Sequence, residues 1–333
     1  VMSIARLRSA FDVEFWHSFR RPLFIALAIF LALTAFGLAS GKMSISSGES
    51  TVGGTKAWIT SEFAQTQMTT YLVILYYSFF IAVAAGLALL RDREAKVDVL
   101  LHSTPMTAGE YVWGRFFAVF ARFVVVMVWQ AAMLAFFNHA MHNSSAIDIR
   151  GPFSFVNYLT PALIIGVPFI VFYTGLSMYI GERTRSAVMV FVLPVATLLM
   201  CGFFLWTWSP SWLGLGWNRV MQVLDVSGYR WLNETHLKVD RGVQFYNTQS
   251  VPYDGLFWIN RAWLLVVGLG SVVLTQLSVA ASARGHVSAR MTRRINRKRG
   301  PEAPAWAEAS GSLRTLEMTA GASSFFSSMM TVA

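Results

Sequence analysis

The chain has 333 residues, 55% of them hydrophobic and 13% charged, against about 25% charged in an ordinary soluble domain. That composition argues against a soluble enzyme and excludes a disordered chain, while a single cysteine, Cys201, excludes an internal disulfide framework and a cysteine-based zinc site. The net charge of +10 is uneven, with seven basic residues between Arg284 and Arg299, which points to an anionic surface as partner.

The pattern predicts an all-α polytopic membrane protein. Residues 1–21 form an amphipathic segment in which Ile4, Leu7, Phe11, Phe15 and Phe19 recur every three or four positions, with Arg6, Arg8, Asp12, Glu14 and Arg20 on other faces. Such a helix lies flat at the cytoplasmic interface as an elbow and turns upward at Pro22, a first-turn position. Residues 22–281 then hold six stretches, each near the roughly 20 apolar residues needed to cross a bilayer: 22–39, 67–90, 116–138, 158–180, 187–208 and 257–281. Their only charges, Arg122 and Arg261, fall near span ends. Pro161, Pro168 and Pro194 interrupt the fourth and fifth spans, where kinks and ordinary helix packing are both compatible with proline.

The connections differ in kind. Residues 40–56 are rich in Gly, Ser and Thr and read as a mobile loop. Residues 209–256 carry Trp212, Trp217, Tyr229, Trp231, Phe245 and Tyr246, rings that favour the headgroup zone, so this segment is expected to hug the outer membrane surface. Segment 282–300 is basic and cytoplasmic; its run 290–299 follows a span directly and lacks interleaved aromatics, which favours anionic lipid over nucleic acid. Residues 301–333 show no sustained periodicity and read as a weakly ordered tail. Lys and Arg number 17 on the side of the termini and 7 on the other, which places both termini in the cytoplasm of a multi-pass cell-membrane protein.

The most informative stretch is 91–115, RDREAKVDVLLHSTPMTAGEYVWGR. Val97, Leu100 and Leu101 form a short apolar face on a charged helix, which Ser103, Thr104 and Pro105 interrupt because proline disfavours helix in the residue before it. Thr107 and Glu110 then have the spacing of a capping box that starts the helix of the third span. The product is a short cytoplasmic helix tied to two spans, a shape able to pass a push from a soluble partner into the membrane.

The order Arg91, Asp92, Glu94, Leu100, Leu101, Ser103, Pro105, Glu110, Tyr111 and Gly114 after the second span resembles the permease subunits of type-2 ATP-binding-cassette exporters, as does the layout of residues 1–285. The resemblance implies that Glu94 through Ser103 dock on a separate nucleotide-binding subunit that holds ATP and Mg, and that a second permease half completes the transport path. The opening Val and the 33 residues from Pro301 depart from that pattern and are compatible with one half of a longer, fused permease.

Other chemistries fit less well. The nearest approach to a P-loop, Gly37 to Met43, is one residue short, lacks the magnesium-binding hydroxyl and lies on the expected outer side, so any ATP hydrolysis belongs to a partner and no cofactor is assigned to this chain. His139 and His142 have only Asp148 nearby, too few ligands for a metal. Arg122 shares a helical face with Arg115; it either locks the loop to the third span through Asp92, Glu94 or Asp98, or snorkels to lipid phosphate. An ion-coupled transporter needs Asp, Glu or His near the midplane, and the six stretches hold no Asp or Glu. A non-transporting assembly or anchoring subunit and an ATP-independent transporter remain the alternatives to an exporter permease.

Overall fold

The computed structural model describes residues 3–19, 22–40, 57–94, 106–140, 149–206, 208–210 and 212–283. Of these, 84% are helical, and no strand occurs among the described residues. In chain order the elements are α1 (Ile4–Phe19), α2 (Pro22–Ala39), α3 (Glu62–Asp92, its helix continuing to Glu94), α4 (Ala108–Ala140) and α5 (Phe155–Thr184). There follow α6 (Ala187–Leu205), α7 (Leu215–Leu224), α8 (229–237), α9 (Val243–Thr248) and α10 (Gly255–Ala283). Six of them, α2 to α6 and α10, are long and apolar enough to cross a membrane, one for each stretch expected from the sequence. Several begin or end beyond the apolar run, and the longer helices carry acidic groups at their ends: Glu62, Asp92, Glu110 and Glu182. The middles of the spans stay free of them.

Within lipid the spans gain little from the hydrophobic effect, so close packing at small residues must hold them together. α5 is the most enclosed span and α6 the least. A Cβ on Gly175 of α5 would stand 2.1 Å from the carbonyl oxygen of Gly268 on α10, and one on Gly181 would stand 2.5 Å from that of Gly86 on α3. Those two glycines let α5 touch both neighbours backbone to backbone. α5 ends in a left-handed residue, Arg185 with φ 51°, whose N–H donates to the Gly181 carbonyl, and α6 starts two residues later.

The prolines do not break their helices. In α5 a wide π-turn at Ala162–Gly166 lies between Pro161 and Pro168, and in α6 another at Met200–Leu205 follows Pro194. α3 has two such turns, Val73–Tyr77 and Ala82–Gly86, with no proline to signal them. A wide turn accommodates one extra residue within a continuous helix.

The connection 209–256 departs from the expected surface-hugging segment. Trp212 and Trp217 are exposed, whereas Tyr229, Trp231 and Tyr246 are buried in a compact cap with Phe63, Tyr71, Ile165 and Phe257. Of the six rings singled out in this segment only Trp212 and Trp217 are exposed, and Phe245 is partly buried against the cap. The segments 40–56 and 284–333 lie for the most part, or wholly, outside the described residues, and so does the basic run within the latter.

Candidate functional site

The residues singled out between the second and third spans divide into two groups. Val97, Leu100, Leu101, Ser103 and Pro105 lie outside the described residues. Glu94 is the last helical residue of α3. The others frame that gap from both sides.

On the far side of the gap the capping box forms. The Thr107 N–H donates to Glu110 Oε2 at 2.7 Å, and the Glu110 N–H donates to Thr107 Oγ1 at 3.3 Å. Two of the unsatisfied donors at the start of α4 are thereby met, which fixes where this 33-residue helix begins. The second carboxylate oxygen of Glu110 accepts the Ser3 N–H at 2.5 Å and lies 3.4 Å from Arg6 Nε. Glu110 therefore caps one helix while holding the start of another.

α1 packs along the first turns of α4 through a side not fully foreseen. A Cβ on Gly114 would stand 2.7 Å from Ala10 Cβ and 3.1 Å from the Leu7 carbonyl oxygen, so the absent side chain is what lets the two helices meet. Leu7 and Phe11 of the expected apolar stripe adjoin this contact, whereas Ile4 stays exposed. Glu14, assigned by periodicity to a polar face, is buried.

Glu14 is buried because Arg115 meets it. The Arg115 guanidinium pairs with Asp92 at the end of α3 and lies 3.7 Å from Glu14 Oε2, and it stacks 4.9 Å from the centre of the Tyr111 ring. The Tyr111 hydroxyl donates to the same Asp92 oxygen at 2.6 Å. Two carboxylates, one guanidinium and one phenol thus join α1, α3 and α4 at the two ends of the 95–105 segment. Charge-assisted bonds of this kind are about twice as strong as neutral ones. Trp113, one turn along, donates from Nε1 to Gln276 Oε1 of α10 at 2.9 Å, linking the last span to the same region.

Of the two arginines considered as a lock between loop and span, Arg115 takes Asp92, whereas Asp98 and the Glu94 side chain, also considered as partners of Arg122, lie outside what the structure describes. Arg122 is buried and lines a cavity among α2, α3 and α4, with its guanidinium 5.8 Å from the Phe123 ring centre. Arg91 lines the same cavity. Sequence reasoning missed Glu14, Arg6 and Ser3 as partners of the third span. The available signal was the small residue Ala10, one turn from Glu14 and able to face a glycine.

The cap at the other end of α3 holds a second polar cluster that sequence reasoning missed. Asp225 accepts from the Ser227 N–H (3.0 Å), the Ser227 hydroxyl (2.7 Å) and the Arg230 N–H (2.7 Å). Arg230 donates from Nε to Asn218 Oδ1 at 2.9 Å and from Nη1 to the carbonyls of Leu205 (2.8 Å) and Trp208 (3.0 Å). Asn260 of α10 donates to the Asp225 carbonyl at 2.9 Å, and the next residue, Arg261, is buried with its guanidinium 4.9 Å from the Phe257 ring centre. Gly228 turns beneath it at φ 82°, and a Cβ there would stand 2.2 Å from Arg261 Nη2. The signal was the local order Asp225, Ser227, Gly228, which favours side-chain-to-backbone turns with a left-handed glycine.

Titratable groups in the cap are shifted by their surroundings. Burial, reinforced by Arg241, holds the His236 imidazole below its ordinary pKa. Burial works to raise that of Glu234, but hydrogen bonds from Lys238 and Asn218 outweigh it and bring the carboxylate below its ordinary range. His139, weighed for metal binding, shares a 3.0 Å hydrogen bond with the Tyr158 hydroxyl, and His142 and Asp148 lie outside the described residues. No family model matches this chain, and no curated protein matches it.

Proposed function

We propose that this chain is the membrane-spanning permease subunit of an ATP-driven exporter, with the 94–103 stretch as the element that docks on a separate nucleotide-binding subunit. The observation that carries the reading is the frame around that stretch. Asp92 at the end of one span and Arg115 near the start of the next are paired, and Glu14 and Glu110 tie the start of that next span to α1. A displacement applied between residues 94 and 107 acts on three helices at once. On this reading the termini and the 91–115 connection face the cytoplasm, α1 is the interfacial elbow, and a second permease half completes the path. The substrate class is left open, because the spans' middles are apolar and offer no charged recognition group.

The test is a mild-detergent purification of the chain from its native membrane, with mass spectrometry of what accompanies it. A stoichiometric P-loop ATPase, lost on Leu101→Asp, is the expected result. Glu94→Ala and Leu101→Asp are expected to uncouple ATP hydrolysis from transport while leaving membrane insertion intact. A preparation free of any ATPase would overturn the reading and favour an assembly or ATP-independent role.

A further inference from the structure

A helix on the surface of a soluble domain turns its apolar face to the core and its polar face to water. α7 does the opposite. On the side that meets the protein, Asn218 donates from Nδ2 to Glu234 Oε2 at 3.0 Å and accepts from Arg230 Nε at 2.9 Å, and Gln222, one turn on, is buried. The exposed side chains of α7 are Leu215, Trp217, Arg219, Val220 and Leu224, of which Arg219 alone is charged. Trp217, Val220 and Leu224 are three and four residues apart and so form one apolar stripe. Arg219 lies about 100° or more around the axis from each of them.

The depth of that stripe follows from what the protein side of α7 touches. Asn260 and Trp263 of α10 stand about 8 and 12 Å along their helix from its start. Asn260 Nδ2 donates to the Val223 carbonyl at 2.7 Å and to the Asp225 carbonyl at 2.9 Å, and Trp263 Nε1 donates to the Val223 carbonyl as well. In α6, Cys201 lies one turn before the helix ends, and its Sγ approaches Asp225 Oδ1 at 3.9 Å. The last turn of α7 therefore lies beside the ends of two spans and not above them. Near that level the outward residues of those spans are apolar too, Phe203 and Phe204 on α6 and Trp258 and Ile259 on α10. Water around the stripe would leave three large apolar side chains exposed together, whereas the hydrocarbon that surrounds α6 and α10 covers them with no further partner.

From this placement we infer that α7 is immersed in the leaflet on the cap's side, with Trp217, Val220 and Leu224 among lipid acyl chains and Arg219 toward the headgroups. An indole ring suits that boundary, apolar in its body and polar at its N–H. The inference rests neither on the exporter reading nor on which side of the membrane the cap occupies.

The experiment uses the full chain reconstituted in phosphatidylcholine vesicles, with a nitroxide on one introduced cysteine at a time. Trp217→Cys, Val220→Cys and Leu224→Cys sample the stripe, Arg219→Cys samples the polar edge, and Phe203→Cys on α6 is the reference for lipid. All five positions are exposed, and the native Cys201 is buried. Collision of each nitroxide with oxygen, which concentrates among acyl chains, is compared with its collision with a water-soluble nickel chelate. Oxygen should dominate severalfold at 217, 220 and 224, as at 203, and the preference should reverse at 219. A preference for nickel along the stripe would place it in water and overturn the inference. So would weak collision with both reagents at all three stripe positions, the result expected if a second copy of this chain covers them.

Discussion

At the end of the bundle formed by α1, Asp92 and the start of α4, the charges gathered around Arg115 are held by other side chains, and only Glu110 also takes backbone N–H groups, those of Thr107 and Ser3. Arg115 reaches two carboxylates and a tyrosine ring, each carried by a different helix or a neighbouring turn. In the cap over the other end, Asp225 accepts backbone N–H groups and Arg230 donates to backbone carbonyls. α3 connects the two, with Phe63 among the cap's rings and Asp92 in the ion cluster. A side-chain pair breaks and reforms when helices shift by an ångström or two, whereas a charge fixed to backbone moves only if the chain refolds locally. The contacts at the first end can therefore slip and re-form, and those at the second cannot do so without local refolding.

The strongest way to break the comparison is Asp225→Ala. It leaves the Arg230 and Ser227 donors buried without their acceptor, and it should cost about 3–5 kcal/mol, the usual toll of removing one member of a buried charged network. Thermal unfolding in detergent and proteolysis of the 209–256 segment both read this. Gly228→Ala tests the same region through backbone and space: a left-handed alanine costs about 1–2 kcal/mol, and the clash with Arg261 adds about 1–3 kcal/mol. The same unfolding measurement should therefore show a loss nearly as large as for Asp225→Ala.

Arg115→Gln sharpens the contrast from the other side. Its pairs are partly open to solvent, so the expected loss is only about 1–2 kcal/mol. Crosslinking between cysteines placed in α1 and α4 should nevertheless show looser pairing. A stability loss as large as that of Asp225→Ala would erase the distinction between the two ends.

The smallest effect is the pH dependence that the cap contributes. The folded His236 has a pKa below its ordinary value of about 6.5, so over that interval the unfolded cap binds a proton that the folded cap does not. Stability from this group is complete above about 6.5 and is lost as pH falls through the lowered value. Glu234 acts in the same direction but only below the ordinary carboxylate range, near 4.5. Unfolding midpoints of the native chain should thus decline between pH 7 and 5, and His236→Phe should flatten the decline.

The six spans were legible because long apolar runs have few alternatives, and the capping box because Thr107 and Glu110 are three residues apart. What brings Glu14 to Arg115 was not legible, since the two are 101 positions apart and the helical period assigned Glu14 to solvent. Asp225 and Arg261 were hidden for the same reason: their environment is assembled from α7, α8 and α10. The aromatic rings of 209–256 show the limit of composition, which counts Trp212 and Trp231 alike although one is exposed and the other buried. The wide turns in α3 left no proline or glycine pattern that distinguishes them from ordinary helix.

Those wide turns make the helix a counting device. Each contains one residue more than an α-helix needs, so removing a residue from 82–86 lets the chain close into regular helix with both flanks still facing as before. Removing one from the regular stretch 87–91 has no such slack, and it swings Asp92 by about 100° around the helix axis, away from Arg115. Tolerance to deletion along α3 is therefore expected to change abruptly between neighbouring positions, with the boundary falling where π-turn gives way to α-helix.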